Sequence, residues 1–226
     1  MEDNTKYPRT YHLPFSPGAT SDDKKLGDDY FDLFCGKEVV ITEKLDGENS
    51  ALTRENVYSR SHAVPTRSPW SVNLWGNTGI HWRVKDAIGS KEILYGENLY
   101  GIHSIEYSNL PAYFFLFAVR DDERWYSWDE IVEYSAILDI PTVPELYRGT
   151  FKDQAQFERT IENLATQPSA FGDTREGVVV RVADEFPIVY GGEDNFRFNV
   201  AKYVRANHVQ TDEHWTKNWK RAELKQ

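Results

Sequence analysis

The 226-residue sequence predicts an α+β fold built on antiparallel strands. Three observations carry this. Short β-rich runs joined by turn pairs fill the chain from Glu38 onward. Later strands are interrupted by helical patterns without a βαβ rhythm, and no repeat or Gly/Ser linker divides the sequence. One domain over residues 1–226 accounts for the pattern.

Residues 1–36 are rich in Pro, Gly and Asp and are expected as an extended N-terminal arm. Val39-Val40-Ile41 opens the first strand, Asp46-Gly47 is a strong turn pair, and Ala51-Leu52-Thr53 and Val57-Tyr58-Ser59 continue as strands. Ile80, Val84, Ala87 and Ile88 share a helical face, while Glu92 to Leu99 and Tyr113 to Val119 read as buried strands. Ser127-Trp128-Asp129-Glu130 is a capping box ahead of a helix ending at Leu138. Thr150 is expected to open a second helix carrying Phe157, Ile161 and Leu164. Val178 to Val182 and Phe198 to Val204 are strands again.

The tail, residues 211–226, reads as a basic helix. Asp212 and Glu213 stand in its first turn and Lys217, Lys220, Arg221 and Lys225 follow, an order that suits the helix dipole. Trp215 and Trp219 would share one face of it. That face either docks on the core, leaving the lysines solvated, or the basic side grips phosphates.

Composition excludes several classes. No apolar run approaches the roughly 18 residues of a membrane span, and the acidic start Met1-Glu2-Asp3 lacks a signal-peptide pattern. A cytoplasmic protein is expected. The single cysteine, Cys35, supplies neither a disulfide nor a multi-Cys zinc site. The net charge of −10 argues against a broad basic surface for long nucleic acid, so any such contact must be local.

Walker A, H-E-x-x-H and G-x-S-x-G motifs are all missing; Gly96-Glu97-Asn98-Leu99-Tyr100-Gly101 has P-loop glycine spacing but then Ile102-His103. The suggestive segment is Glu43-Lys44-Leu45-Asp46-Gly47-Glu48-Asn49, which puts one amine among carboxylates at a turn. A nucleophilic lysine must lose a proton, and acids alone oppose that. It needs burial, a nearby cation or a divalent metal. Glu97 and Glu176 are carboxylates at the ends of apolar strands, costly without partners. Lys202 lies inside a β-rich run and must face solvent or an anion.

In order along the chain, these residues resemble the motifs of the covalent nucleotidyltransferases, most closely the ATP-dependent RNA ligases of small bacterial and phage type. Lys44-Leu45-Asp46-Gly47-Glu48-Asn49 resembles the nucleophile motif, Ser59-Arg60-Ser61 the arginine motif, and Tyr95-Gly96-Glu97 the ribose motif. Phe115-Leu116-Phe117 resembles the adenine-stacking segment, Arg175-Glu176-Gly177-Val178-Val179 the metal-linked motif, and Ala201-Lys202 the final lysine motif. The opening Lys6-Tyr7-Pro8-Arg9-Thr10 and the stretch Ala201 to Trp215 share the likeness.

The resemblance implies an antiparallel-sheet, ATP-grasp-like adenylyltransferase domain with flanking helices. It implies a ligase for RNA 5′-phosphate and 3′-hydroxyl ends, using ATP and Mg²⁺, with Mn²⁺ as a substitute and an end-healing kinase or phosphatase as a partner. Catalysis would fall to Lys44, Asp46, Glu176 and Lys202. ATP would meet Glu43, Asn49, Arg60, Glu97, Phe117 and Lys202, and Glu176 would hold the metal. Phe115 competes with Phe117 for the stack. Arg205, three residues after Lys202, takes the place of the usual second lysine two residues on; strand alternation turns it to the opposite face.

Only 21 residues follow Arg205, too few for the β-barrel domain of DNA ligases and capping enzymes. RNA contacts are therefore expected from the catalytic domain, the arm, the tail or another protein. A nick-sealing DNA ligase or capping-type guanylyltransferase is the alternative within the superfamily. A nucleotide- or RNA-binding protein without catalysis is the alternative of another class.

Overall fold

The computed structural model describes residues 5–60, 64–206 and 215–225. Its strands, in chain order, are β1 (Tyr11–His12), β2 (Glu38–Lys44), β3 (Glu48–Leu52), β4 (Val57–Ser59), β5 (Ile93–Asn98), β6 (Phe114–Arg120) and β7 (Arg124–Trp125). There follow β8 (Glu145–Thr150), β9 (Gly177–Val182), β10 (Phe186–Pro187), β11 (Val189–Tyr190), β12 (Glu193–Asp194) and β13 (Val200–Val204). The helices are α1 (Val72–Trp75), α2 (Ile80–Val84), α3 (Trp128–Leu138) and α4 (Gln154–Thr166).

One sheet is ordered β1-β13-β9-β2-β8 and the other β10-β7-β6-β5-β3-β4, with β11 and β12 as a separate hairpin. All these pairings are antiparallel except that of β1 with β13, as the α+β expectation requires. Strand β2 joins two cores. Val39 and Ile41 pack with Val178, Val180 and Ala201, while Val40 packs with Leu52, Leu94 and Leu116. Full burial of each such side chain contributes about 1.5–3 kcal/mol, which explains the unbroken Val-Val-Ile run. In α3 the capping box is realised: Ser127 Oγ accepts from the Glu130 amide and the Glu130 carboxylate from the Ser127 amide.

Four expectations are corrected. Thr150 ends the edge strand β8, where it pairs with Glu38; the cap of α4 is Asp153, whose Oδ1 accepts from the Gln156 amide at 2.7 Å. The buried face of α4 is Phe157, Ile161 and Ala165, with Leu164 at its margin. Phe198 belongs to a 3₁₀ turn, so the last strand starts at Val200.

The N-terminal segment is no free arm. Leu13, Tyr30, Phe31 and Phe34 are buried, and Leu13 N and Gly18 N donate to the Lys202 and Val204 carbonyls. Burial of these apolar side chains outweighs the turn-rich composition.

The tail is not a helix in its described part. Residues 211–214, where the helix would begin, lie outside the described residues, as does Ser61. Trp215–Asn218 make one 3₁₀ turn, after which the chain runs along the 100–110 loop. Ile102 N donates to Lys220 O, Ala222 N to Tyr100 O and Lys225 N to Leu110 O, at 2.8–2.9 Å. These tertiary bonds take the backbone groups a helix would use, overriding propensity. Among the described residues no helix is long and apolar enough to cross a membrane.

Candidate active site

A cavity of about 1200 Å³ lies in the fold, and Lys44, Asn49, Arg60, Glu97, Phe117 and Lys202 all line it. Strand register brings them there. Lys44, the last residue of β2, stands opposite Gly177 at the start of β9, so Glu176 is adjacent and its Oε2 receives a bond of 2.6 Å from Lys44 Nζ. Asn49 on β3 faces Glu97 on β5, and Arg60 follows β4, its amide bonded to Asn49 O at 3.0 Å. Lys202 enters from β13, opposite Val179.

Glycine is needed at two close approaches. A Cβ on Gly47 would lie 2.5 Å from Asn98 O, and one on Gly177 2.1 Å from Tyr203 O. The Gly47 amide can therefore reach Glu97 Oε1, at 3.1 Å.

The charges are strongly coupled. Burial pushes the Lys44 amine down, but the carboxylates of Glu176, Glu97 and Asp46 outweigh it and hold the pKa above the ordinary lysine value. Lys44 is thus an ammonium paired with Glu176. Burial, reinforced by Lys44, brings Lys202 down to about 8. Burial also raises Glu97 to about 8 against the pull of Lys44, so near neutral pH that carboxyl can donate as well as accept. His12, in register with Lys202, is kept neutral, burial and Lys202 lowering it to about 4.

Several predicted residues are placed elsewhere. Asp46 stands outside the cavity lining; its Oδ2 accepts from the Ser104 and Ile105 amides at 2.7 and 2.8 Å. It braces the turn beside Lys44. Glu43 is among the lining residues, and its buried carboxylate accepts from Ser169 Oγ and the Ala170 amide and lies 3.6 Å from Arg175. Phe115 is buried against Phe171, ring centroids 4.9 Å apart, and Phe117 forms the cavity wall. A register shift between Tyr95 and Gly96 separates the two rings that simple alternation would put together, because Gly96 pairs with Leu116 and Tyr95 with Ala118. Arg205 follows the end of β13 and is not among the lining residues. Glu176 also stands outside it and reaches the site through Lys44.

Sequence reasoning passed over three cavity residues. Tyr7 packs edge-on to Phe117 at 5.1 Å. Arg181 is a buried cation beneath the cavity, its Nη2 donating to Tyr126 O at 2.7 Å. Trp70 donates to Glu48 at 3.0 Å. A cation ending the Val178-Val179-Val180 run was the available signal for Arg181, and the likeness of Lys6-Tyr7-Pro8-Arg9-Thr10 was the signal for Tyr7; Trp70 had none beyond residue type.

Two polar atoms at the wall, Asn49 Oδ1 and Ser59 Oγ, are buried without a hydrogen-bond partner among the described residues. Such atoms are costly unless a ligand completes them. Among the described residues no three acids, histidines or cysteines cluster as a metal site. Glu176 alone fits a cation that takes its remaining ligands from phosphate and water.

Comparison with known proteins agrees with this fold. By fold, the chain is similar to a Naegleria gruberi RNA ligase with PPi (TM-score 0.53, 16% identity, 91% of this chain and 60% of that one). It is similar to an archaeal ATP-dependent RNA ligase (0.52, 13%, 88% and 48%) and to an Aquifex aeolicus protein assigned as an ATP-dependent DNA ligase (0.53, 19%, 88% and 50%). The chain thus spans about half to three fifths of the length of these structures. No curated protein matches it by sequence. The family model for RNA ligase matches residues 37–204, from the start of β2 through β13, and so the chain belongs to the RNA ligase family.

Proposed function

We propose that this protein is an ATP-dependent RNA ligase that joins RNA 5′-phosphate and 3′-hydroxyl ends through a lysyl-adenylate on Lys44. The observation that carries the reading is one amine at a large cavity, paired with Glu176 at 2.6 Å and sharing the cavity with Lys202. A solved structure of a Naegleria gruberi RNA ligase variant with ATP and Mn supports the choice of nucleotide and metal class.

Lys44 Nζ would attack the α-phosphorus of ATP, forming an N–P bond as the P–O bond to pyrophosphate breaks. The AMP then passes to an RNA 5′-phosphate, and a 3′-hydroxyl displaces it to close the phosphodiester. Before attack the ammonium must shed its proton. Glu176 would help hold Mg²⁺, or Mn²⁺, with the ATP phosphates, and when bound the ion supplies positive charge that favours the neutral amine. That same engagement takes Glu176 away from Lys44. Lys202 and Arg60 balance phosphate charge, Phe117 stacks on adenine, and Asn49 and Glu97 complete the ribose and phosphate contacts. An RNA end-healing kinase or phosphatase would supply the 5′-phosphate, and the setting would be the cytoplasm.

Incubation with α-labelled ATP and Mg²⁺ should label the protein, and 5′-phosphorylated RNA should discharge the label and yield joined product. Discharge on DNA nicks alone, or labelling by GTP in place of ATP, would overturn the reading.

Two variants test the pocket. Phe117→Ala should raise the KM for ATP about tenfold or more, stacking being worth about 1–3 kcal/mol, with a smaller fall in kcat because the stack exists in the bound ground state. Unchanged ATP dependence would remove Phe117 from the adenine site. Lys202, at about 8, loses its charge as pH rises through that value. The KM for ATP should accordingly climb above pH 8, and Lys202→Arg should hold it flat there. Identical pH profiles would assign Lys202 a merely structural place.

A further inference from the structure

Residues 54–91 carry six basic residues, Arg54, Arg60, Arg67, Arg83, Lys85 and Lys91, against Glu55 and Asp86, in a chain of net charge −10. The same stretch holds three of the seven tryptophans, Trp70, Trp75 and Trp82. Arg83 and Lys91 lie within 3.8 and 3.4 Å of Asp139 and Asp122. Among the described residues Arg54, Arg60, Arg67 and Lys85 make no salt bridge.

Core packing accounts for Trp75, which lies against the Leu74 cluster, but not for Trp82. Leu74, Val84 and Ile88 anchor the segment in the core, whereas Trp82 is 52% exposed. Lys85 Nζ sits 4.6 Å over the Trp82 ring and Arg67 Cζ 5.6 Å over Trp75. Trp82, two residues from buried Val84, stands on the other side of α2 and faces solvent. A half-exposed indole with a cation on it presents a face for a base and a charge for a phosphate at one spot.

The α2 part is held at the end of β3 away from Glu48, where His81 Nε2 lies 2.9 Å from Thr53 O, and the start of the segment reaches the cavity. Arg60 and Trp70 line it, Trp70 and Ser71 both hold Glu48, and Trp75 Nε1 bonds to Ser68 O at 3.0 Å, which keeps the Arg67–Trp75 pair beside that wall. An acidic protein that must admit a polyanion needs a local positive approach ending at its reactive amine.

We infer that residues 64–85 form the landing surface for the single-stranded RNA whose 5′-phosphate receives AMP, with Arg67 and Lys85 on the phosphates and Trp82 stacking a base. This rests on the ligase reading of the cavity and adds the path by which RNA reaches it.

The test uses the full chain and a fluorescein-labelled, 5′-phosphorylated single-stranded RNA, read by anisotropy across a salt series. Arg67→Gln/Trp82→Ala/Lys85→Gln should bind at least tenfold more weakly. Its log K against log salt slope should be shallower by about 1.4, two lost phosphate contacts at roughly 0.7 each, while self-labelling by α-labelled ATP stays at the wild-type rate. Restoring an aromatic ring as Phe at position 82 should recover part of the affinity. RNA affinity and slope equal to wild type would overturn the inference, as would a loss confined to Lys217→Gln/Lys220→Gln. Wild-type protein that labels itself but binds no RNA overturns it and leaves the ATP chemistry standing; wild-type protein that does neither overturns the ligase reading as well.

Discussion

Lys44→Ala is expected to take up no label from α-labelled ATP under conditions that saturate the wild type. On the proposed reading the Lys44 amine is the atom to which phosphorus bonds; Lys6 and Lys202 also line the cavity but neither forms the ion pair with Glu176, and Arg60 cannot act as a nucleophile at accessible pH. Removing Lys44 also strips the buried Glu176 carboxylate of its ion-pair partner, which itself destabilises. Lys44→Arg separates the two effects. A guanidinium preserves the charge beside Glu176 yet cannot be deprotonated, so this variant should match wild-type stability in chemical denaturation and remain unlabelled. Label on either variant would move the nucleophile elsewhere.

Glu176→Ala should depress labelling by orders of magnitude, with partial recovery at high Mg²⁺ or Mn²⁺. The geometry sets up two opposing effects that this variant resolves. Glu176 helps hold the Lys44 pKa above its ordinary value, so its loss shifts Lys44 toward the neutral amine and moves the acidic limb of the pH–rate profile to lower pH. If the carboxylate served only as that partner, the variant would label faster at neutral pH. If it helps hold the divalent ion, labelling collapses despite the lower pKa. Metal titrations at fixed pH distinguish these, and an unchanged metal requirement would leave Glu176 as the ion-pair partner alone.

What the sequence made legible was whatever is encoded within a few residues. The Val-Val-Ile run of β2, the Ser127 capping box and the apolar strands β5 and β6 stand where periodicity puts them. The order of the motif segments likewise foreshadowed that Lys44, Glu97, Phe117 and Lys202 would share one cavity. What sequence hid depends on distant partners. Glu43 and Asp46 flank Lys44 and look equally available, yet one is consumed by residues 169–175 and the other by the amides of 104 and 105. Edge strand β8 is half exposed along its length, so Gly149 and Thr150 read as the end of a loop rather than as sheet. The basic tail has good helix-dipole order, but only the fold reveals that its carbonyls and amides are claimed by the 100–110 loop.

That tail sets an order of events during synthesis. The turn next to Lys44 is braced by Asp46 on Ser104 and Ile105, and the loop bearing those amides is fastened at Tyr100, Ile102 and Leu110 by residues 220–225. On the ribosome, every strand that carries a cavity residue emerges before that fastening does. Until residues 220–225 are in place the loop lacks these backbone partners, and the turn beside Lys44 lacks its final support. The support of the turn beside Lys44 is thus completed by residues that follow every strand in the chain.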